Sequence, residues 1–356
     1  MIVCKFGGKA TMSIQGINNI KKLAENNDRK VFVFSAIGKS DDSEKMTDLL
    51  IKYANSKSDK VKHLLFSKIE AKFKSLIAFT KIQFSLEKEL LKIRKSNDKS
   101  FIVSRGEFIT SSIMARFLYL KFIPAERLII YKNKQLCESA IRQRLKRYLK
   151  KYGRIVTSGF YGIDCQTHKI VLFERGGGDL TGGIIAKNGS ATIYENFTDV
   201  SGIKCVNPQV INNNITINKI DYKTLALFSD FGFNVFQRDA CEYLQNTSVV
   251  TKVRNVFQLC GPITNIDNKP HVNTLLGVKE TNNKALIVVK THNQKTIQQC
   301  GLIKFNNNYY FGIVAKKQKI RLIKILIKYL WGEYSESRHS RLWKFREGDR
   351  KATKKR

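Results

Sequence analysis

The first forty residues alternate an apolar run, a glycine-containing turn, an amphipathic segment and a second apolar run. The two runs are Ile2 to Phe6 and "KVFVFSAIG" at 30–38, and the segment from Ile14 to Ala24 between them has helical periodicity. Two strands joined by a helix are parallel neighbours, because a parallel crossover needs a dozen or more residues. This pattern predicts an α/β fold with a mainly parallel sheet.

The rest of the chain continues the alternation of helices and strands. Residues 45–97 carry apolar positions at helical spacing without Gly or Pro, which predicts helices. The short apolar run "FIVSRGE" at 101–107 predicts a strand and turn, followed by a helix from Phe108 to Leu120. Beyond residue 270, strands are predicted at 284–290 and 309–316 and a helix at 319–334, which together form a small α+β appendage.

Composition excludes several classes of protein. A hydrophobic content of 42% is too high for a disordered chain. No segment approaches the roughly 20 apolar residues that cross a bilayer, and the N-terminus lacks the pattern of a signal peptide. The seven cysteines are scattered without CxxC spacing, so neither a disulfide framework nor a zinc cluster is predicted. We expect a cytoplasmic protein without membrane segments.

The net charge of +35 comes from 64 basic and 29 acidic side chains. A charge of this size attracts polyanions, but the lysines are spread almost evenly, which favours a generally basic surface over a nucleic-acid site. The exception is the cluster "RHSRLWKFREGDRKATKKR" at 338–356. For this tail, nucleic-acid contact and a solvated terminus remain open alternatives.

A glycine-containing turn follows the first apolar run in "CKFGGK". Lys5 stands at the end of the predicted strand, and Gly7 and Gly8 let backbone N–H groups approach an anion closely. An ordinary tight turn gives the same pattern. By itself the motif indicates phosphate binding only weakly.

A denser cluster, "RGGGD", follows the predicted strand "KIVLFE". Arg175 offers a fork for a carboxylate or phosphate, and the residues Gly176, Gly177 and Gly178 can wrap a phosphate. Asp179 can orient a lysine or a magnesium ion. Three consecutive glycines between opposite charges indicate a ligand site more strongly than a mere chain reversal.

The third candidate is "SRGE", which sets Glu107 at the predicted start of a helix, where an acid also favours the helix dipole. In a parallel α/β sheet, turns that follow strands gather at one edge, so the three should meet. The P-loop, dinucleotide, zinc-protease and nucleophile-elbow motifs are absent. What remains suits phosphoryl transfer by positioning and charge neutralisation.

In their order along the chain, these segments resemble the aspartate kinase family of the amino acid kinase superfamily, in its monofunctional type. The resemblance covers residues 3 to about 266. RGGxD followed by TDVSG separates it from carbamate, glutamate and nucleotide kinases. The matching segments are "VCKFGGK" at 3, "FSAIGK" at 34, "MTDLL" at 46, "IVSRGEFITSSIMARFL" at 102, "TSGFYG" at 157, "RGGGDLTGGIIA" at 175 and "YENFTDVSGI" at 194.

The resemblance implies the amino acid kinase fold, a three-layer αβα sandwich with a mainly parallel central sheet. It implies a catalytic domain at 1–269, a truncated ACT-like region at 270–335 and a basic tail at 336–356. Members of the family usually end in two ACT regulatory modules that also mediate dimerisation. The 87 residues after 269 cannot hold both modules, so feedback inhibition is doubtful, although a homodimer is expected.

The implied reaction is phosphorylation of the side-chain carboxylate of L-aspartate by ATP with Mg²⁺, the first step toward lysine, threonine and methionine. Lys5 would neutralise the transferring phosphoryl group, and Asp179 would position that lysine. Glu107 would hold the ammonium group of aspartate, and Arg175 would clamp the opposite end. The remaining implied residues are Ser35 and Thr47 for aspartate, and Phe6, Gly7, Gly8, Gly176, Gly177, Thr198 and Asp199, with Lys5, for ATP. No residue is assigned to a metal.

The chain departs from the family mainly on the ATP side. Lys9 and Ala10 replace two hydroxyl residues, Lys204 replaces a tyrosine, and Gly178 replaces a serine. Two cations that usually touch ATP phosphates are missing from the segments at 207–209 and 231–234. The alternatives to an active kinase are a degenerate kinase fold that binds a ligand or partner without turnover, and a nucleic-acid-binding protein.

Overall fold

A computed structural model describes residues 1–40, 43–173, 177–208, 211–212, 215–291, 297, 300, 302–306, 308–331 and 344–345. The described chain forms two compact units. The first comprises Met1–Ser201 and Asn246–Gly261, and the second comprises the described parts of Gly202–Gln245 and Pro262–Arg356. Each unit is made of two separate stretches of the chain, which alternate along the sequence. The predicted domain boundary at residue 269 stays a prediction.

The secondary structure alternates strands and helices along the described chain. The strands are β1 (Ile2–Phe6), β2 (Arg29–Phe34), β3 (Lys121–Phe122), β4 (Ile130–Lys132), β5 (Gln135–Leu136), β6 (Ile155–Ser158), β7 (Tyr161–Asp164), β8 (Ile170–Leu172), β9 (Ile193–Thr198), β10 (Ile203–Lys204), β11 (Ile211–Asn212), β12 (Thr216–Ile217), β13 (Lys219–Asp221), β14 (Val250–Asn255), β15 (Thr264–Asp267), β16 (Leu275–Glu280), β17 (Lys284–Lys290), β18 (Ile303–Asn306), β19 (Tyr309–Ala315) and β20 (Lys344–Phe345). The α-helices are α1 (Ile14–Ala24), α2 (Met46–Asn55), α3 (Asp59–Thr80), α4 (Leu86–Lys95), α5 (Lys99–Phe117), α6 (Glu138–Tyr152), α7 (Gly177–Asn188), α8 (Tyr222–Ser229), α9 (Arg238–Leu244) and α10 (Lys319–Trp331). Short 3-10 helices occupy Gly8–Thr11, Ala125–Arg127 and Lys316–Gln318.

The first unit is built on a parallel sheet with the strand order β14-β9-β1-β2-β6-β3. In this sheet Lys5 of β1 lies opposite Val33 of β2 and Asn196 of β9. A smaller sheet in the same unit has the order β5-β4-β7-β8. The predicted α/β class with a mainly parallel sheet is therefore confirmed.

Aromatic rings hold the three inner strands of this sheet together. Phe6 lies within 5.1 Å of the Phe34 ring centroid and 5.0 Å of the Phe197 ring centroid, in nearly parallel stacks. All three side chains are fully buried. The stack fixes the ends of β1, β2 and β9 relative to one another, and those ends carry the candidate site.

The prediction of a strand at 101–107 is wrong, because this run lies inside α5. The helix begins after Asp98, whose carboxylate accepts hydrogen bonds from the N–H groups of Ser100 and Phe101. Nearly all of the run is buried, including the polar residues Ser104, Arg105 and Glu107. The run therefore has no alternation of buried apolar and exposed polar positions that would separate a strand from a helix. Gly106 is a packing glycine rather than a turn, because a Cβ there would lie 3.1 Å from the Cβ of Ala36.

The second unit contains a four-stranded antiparallel sheet with the order β16-β17-β19-β18, followed by α10. The smaller pairs β13-β15, β10-β12 and β11-β20 belong to the same unit. The predicted strand at 284–290 is confirmed by β17, and β19 and α10 match the other two predicted elements. The basic tail lies outside the described residues except for β20. Of the helices in the described ranges, none combines the length and apolar character needed to cross a bilayer.

Candidate active site

A cavity of about 520 Å³ opens in the first unit where β1, β2 and the start of α7 meet. It brings together residues that are far apart in the sequence, as expected at the carboxyl edge of a parallel sheet. The residues predicted for function that line it are Lys5, Gly7, Gly8, Ser35, Thr47, Glu107, Gly177 and Gly178. The two glycine motifs and the glutamate therefore share one cavity, although Glu107 reaches it from the middle of α5.

Lys5 and Asp179 form a buried ion pair at the edge of this cavity. The Nζ of Lys5 lies 2.7 Å from the Oδ1 of Asp179, and both side chains are about nine-tenths buried. Asn196 donates a hydrogen bond of 3.0 Å to the same oxygen, and Tyr194 donates one of 3.1 Å to the backbone carbonyl of Asp179. These contacts hold the ammonium group of Lys5 in a fixed place beside the glycines.

The glycines of the first turn allow backbone segments to touch. A Cβ on Gly8 would lie 2.2 Å from the carbonyl oxygen of Ala36, and Gly38 donates a backbone hydrogen bond of 2.9 Å to the carbonyl of Gly8. Because the clashing atoms are backbone, no side-chain rotation relieves them. Gly8 and Gly38 thus join the end of β1 to the segment that follows β2.

Glu107 is the buried acid of the cavity. Burial raises its pKa to about 8, against the weaker opposing effect of hydrogen bonds from the N–H groups of Ala36 and of Glu107 itself. Its Oε2 is buried and accepts no hydrogen bond from the described residues. A carboxylate with an unused acceptor in a cavity is suited to binding a cationic ligand group, which would bring the carboxyl back to its ionised form.

Ser35 and Gly178 lie side by side in the wall of the cavity. A Cβ on Gly178 would lie 2.6 Å from the Oγ of Ser35 and 3.2 Å from the Cε of Lys5. The glycine that replaces the family's serine therefore leaves room for both side chains. Thr47 lines the same cavity from the first turn of α2.

A second cavity of about 300 Å³ adjoins the first and is lined by two more of the predicted residues, Thr198 and Asp199. Lys9, one of the departures from the family, pairs with Asp199 at 2.7 Å, and Thr198 donates a hydrogen bond to the same carboxylate. Burial by itself raises the pKa of Asp199, but the contact with Lys9 outweighs it and holds the pKa below its usual value. This carboxylate is therefore ionised at neutral pH.

Some predicted residues are not brought to the cavities. Phe6 is fully buried in the aromatic stack, so its side chain does not reach either cavity. Arg175 and Gly176 lie outside the described residues, as does Gln209 of the segment at 207–209 that departs from the family. Asn207 is buried in the second unit, where its amide donates hydrogen bonds to the carbonyls of Phe231 and Val278.

Other lining residues were missed from the sequence. Lys45 and Asp48 flank the predicted Thr47 and line the larger cavity, and Phe160 and Phe173 supply its apolar wall. Asn196, which donates a hydrogen bond to Asp179, lies in β9. The charged residues of the segment "EKMTD" at 44–48 could have indicated a site around Thr47 from the sequence. The role of Asn196 depends on a partner from another part of the chain.

Residues 1–255 of the chain match the model of the amino acid kinase family. Aspartokinase 3 of Bacillus subtilis is 28% identical over 281 residues, which cover 72% of this chain and 61% of that protein. The aspartokinase of Rickettsia conorii is 26% identical over 219 residues, covering 58% and 54%. The chain thus spans about half to three fifths of the length of these curated relatives.

Solved structures share the fold. The aspartate kinase of Clostridium acetobutylicum superposes with a TM-score of 0.77 at 20% identity, covering 93% of this chain and 100% of that one. Aspartokinase III of E. coli in complex with aspartate and ADP gives a TM-score of 0.76 at 12% identity, with the same coverage. The resemblance to aspartate kinases inferred from the motifs is confirmed by these relatives. Because the family model matches well over half of its residues, the chain belongs to the amino acid kinase family.

Proposed function

We propose that the protein transfers the terminal phosphoryl group of ATP to the side-chain carboxylate of L-aspartate, giving ADP and 4-phospho-L-aspartate. The observation that carries the proposal is the shared cavity. A fixed lysine, two glycines and a buried glutamate with an unused oxygen meet in one hollow of about 520 Å³. The curated relatives are aspartokinases, which favours aspartate as the acceptor.

The acceptor end of the cavity suits an amino acid. The ammonium group of aspartate would bind the Oε2 of Glu107, and the hydroxyl groups of Ser35 and Thr47 would contact the rest of the substrate. Arg175, which lies outside the described residues, is predicted to clamp the end of aspartate opposite the acceptor carboxylate. An apolar wall around these polar groups strengthens each ionic contact by excluding water.

Transfer needs no covalent enzyme intermediate. An oxygen of the aspartate side chain would form a bond to the γ-phosphorus, and the bond from that phosphorus to the bridging oxygen would break, leaving the electron pair on ADP. The acceptor is already a carboxylate, so no general base is required. Lys5, held by Asp179, would neutralise the charge that develops on the moving phosphoryl group. Catalysis then depends on positioning and electrostatics.

The nucleotide would occupy the adjoining cavity, with its phosphates along Gly7, Gly8 and Gly177 and its nucleoside end toward Thr198 and Asp199. Among the described residues, no three histidine, cysteine, aspartate or glutamate side chains gather as a metal site. Mg²⁺ would enter with ATP, because Mg²⁺ in such sites is held largely by phosphate oxygens and water. When bound, Mg²⁺ supplies neutralising charge to the phosphates.

The proposal is tested by measuring ADP release from magnesium ATP with L-aspartate, together with trapping of the acyl phosphate by hydroxylamine. L-Asparagine is the matched control, since it keeps the ammonium and α-carboxylate but lacks the accepting oxygen anion. ADP and hydroxamate should appear together with aspartate and not with asparagine. Absence of both across millimolar ATP would leave the non-catalytic kinase fold as the better description.

Two further expectations rest on the same resemblance. We propose that the protein works as a homodimer, which the mass from light scattering would test. The cytoplasm remains the predicted compartment. The ion pair of Lys5 and Asp179 holds a cation where the phosphoryl group would pass, which favours turnover over the ligand-binding alternative.

A further inference from the structure

The two cavities share a boundary, across which a phosphoryl group would have to pass. Four residues line both of them, namely Gly7, Gly8, Gly38 and Lys45. The first three have no side chain. Lys45 is therefore the member of this group that brings a charge to the boundary, whereas Lys5 lines the larger cavity alone and Lys9 and Lys39 line the smaller one.

The backbone of Lys45 is held firmly in place. It is the residue before α2, and its carbonyl accepts a hydrogen bond of 3.1 Å from the N–H of Leu49. The next residue, Met46, is fully buried and donates a backbone hydrogen bond of 3.0 Å to the carbonyl of Ile37. A side chain that starts from this point reaches the cavity boundary from a fixed origin.

A lysine is a poor choice for this position on local grounds. The N-terminus of a helix carries a partial positive charge, so a cation there is unfavourable. Ser, Thr, Asp or Asn would cap the helix, while Lys45 makes no side-chain capping bond. Departures from local rules concentrate at functional positions.

The charge of Lys45 also has no acid to satisfy it among the described contacts. Lys5 is paired with Asp179 and Lys9 with Asp199, each at 2.7 Å. Lys45 is exposed and takes part in no ion pair found within the described ranges. An ammonium group without a partner acid is available to form charge-assisted hydrogen bonds with an incoming anion.

We propose that Lys45 binds the γ-phosphate of the nucleotide at the boundary between the two cavities and stays with the phosphoryl group as it moves toward the acceptor. The inference rests on the proposed function and adds a second cation to it. Lys5 would stand on the acceptor side and Lys45 over the crossing point. A contact of this kind exists with a triphosphate and is absent with a diphosphate.

That difference provides the test. Binding of ADP and of the non-hydrolysable analogue adenylyl imidodiphosphate, both with Mg²⁺, is measured by calorimetry for the wild type, Lys45→Met and Lys45→Arg. Lys74→Met is the control, because Lys74 is an exposed lysine on α3 paired with Glu70 and lines neither cavity. It removes the same unit of net charge.

Lys45→Met should weaken binding of the triphosphate analogue about tenfold or more and leave ADP binding within about twofold of the wild type. Turnover should fall at least as far, with Lys45→Arg restoring part of both and Lys74→Met changing neither. Equal weakening of ADP and the analogue, or no weakening, would overturn the assignment. If the wild type binds both nucleotides but does not phosphorylate aspartate, the acceptor proposal fails while the Lys45 result still stands on binding alone.

Discussion

Replacing Glu107 with glutamine preserves the shape of the side chain and removes its ability to ionise. In the fold, burial raises the pKa of this carboxyl to about 8, from 4.5 for an ordinary glutamate. In the empty protein the group therefore stays largely protonated at neutral pH, whereas in the unfolded chain it ionises near its ordinary pKa. The two states bind different numbers of protons between these two values, which makes stability depend on pH.

Whether the free energy of unfolding rises or falls with pH depends on which state loses its proton first. Below pH 4.5 both states are protonated, and the stability associated with this group is fully present. As the pH rises toward about 8, only the unfolded chain ionises, so the free energy of unfolding of the wild type falls. The full difference between the two pKa values corresponds to about 5 kcal/mol, which is an upper bound because water that enters the cavity reduces it. The Glu107→Gln variant does not suffer this loss.

Urea unfolding at about pH 5 and about pH 8 measures the effect. The stability of Glu107→Gln relative to the wild type should rise by a few kcal/mol between the two conditions, and any constant cost of the amide cancels in that comparison. Glu25→Gln, at an exposed position, is the matched control and should show almost no change. A pH-independent difference for Glu107→Gln would refute the reading of Glu107 as a buried neutral acid.

The same variant also bears on the proposed substrate. In the wild type, binding of the aspartate ammonium requires the ionised carboxylate, so aspartate affinity should increase as the pH rises toward about 8 and binding near pH 7 should release a proton. Calorimetry in two buffers of different ionisation enthalpy measures that release. Glu107→Gln should bind aspartate weakly at every pH, with ADP affinity preserved. Weakened ADP binding with intact aspartate affinity would contradict the assignment of Glu107 to the aspartate site.

Three other changes have clear expected results. Lys5→Met should lower turnover by about 100-fold or more, roughly 3 kcal/mol of barrier, in the ADP-release assay, and an unchanged rate would remove Lys5 from the transfer step. Gly8→Ala should destabilise the fold by about 1–3 kcal/mol in urea unfolding, because the added Cβ would lie 2.2 Å from the carbonyl oxygen of Ala36. Glu195→Gln should lower stability by about 3–5 kcal/mol, since this buried carboxylate pairs with two arginines at 2.6 and 2.5 Å; a melting temperature close to that of the wild type would contradict it.

The parallel sheet and its connections were predictable from local patterns. The segment from Ile2 to Ala24 shows an apolar strand, a turn and an amphipathic helix in the order that the structure contains, and β17 matches the predicted strand at both ends. These elements have a recognisable period because one face is buried and another is not. At α5 that contrast disappears, so the buried run around Val103 was predicted as a strand.

Taken alone, the sequence determined the α/β class, the order of the motifs and the list of charged residues next to glycines, because these depend on neighbours along the chain. Only the tertiary structure decided which of them meet. The pairing of Lys5 with Asp179 requires β1 and α7 to pack together, and the raised pKa of Glu107 requires removal of water by several elements at once. The position of Lys45 between two cavities is likewise a property of the packed fold. Desolvation and distance are set by residues remote in sequence, so no local pattern encodes them.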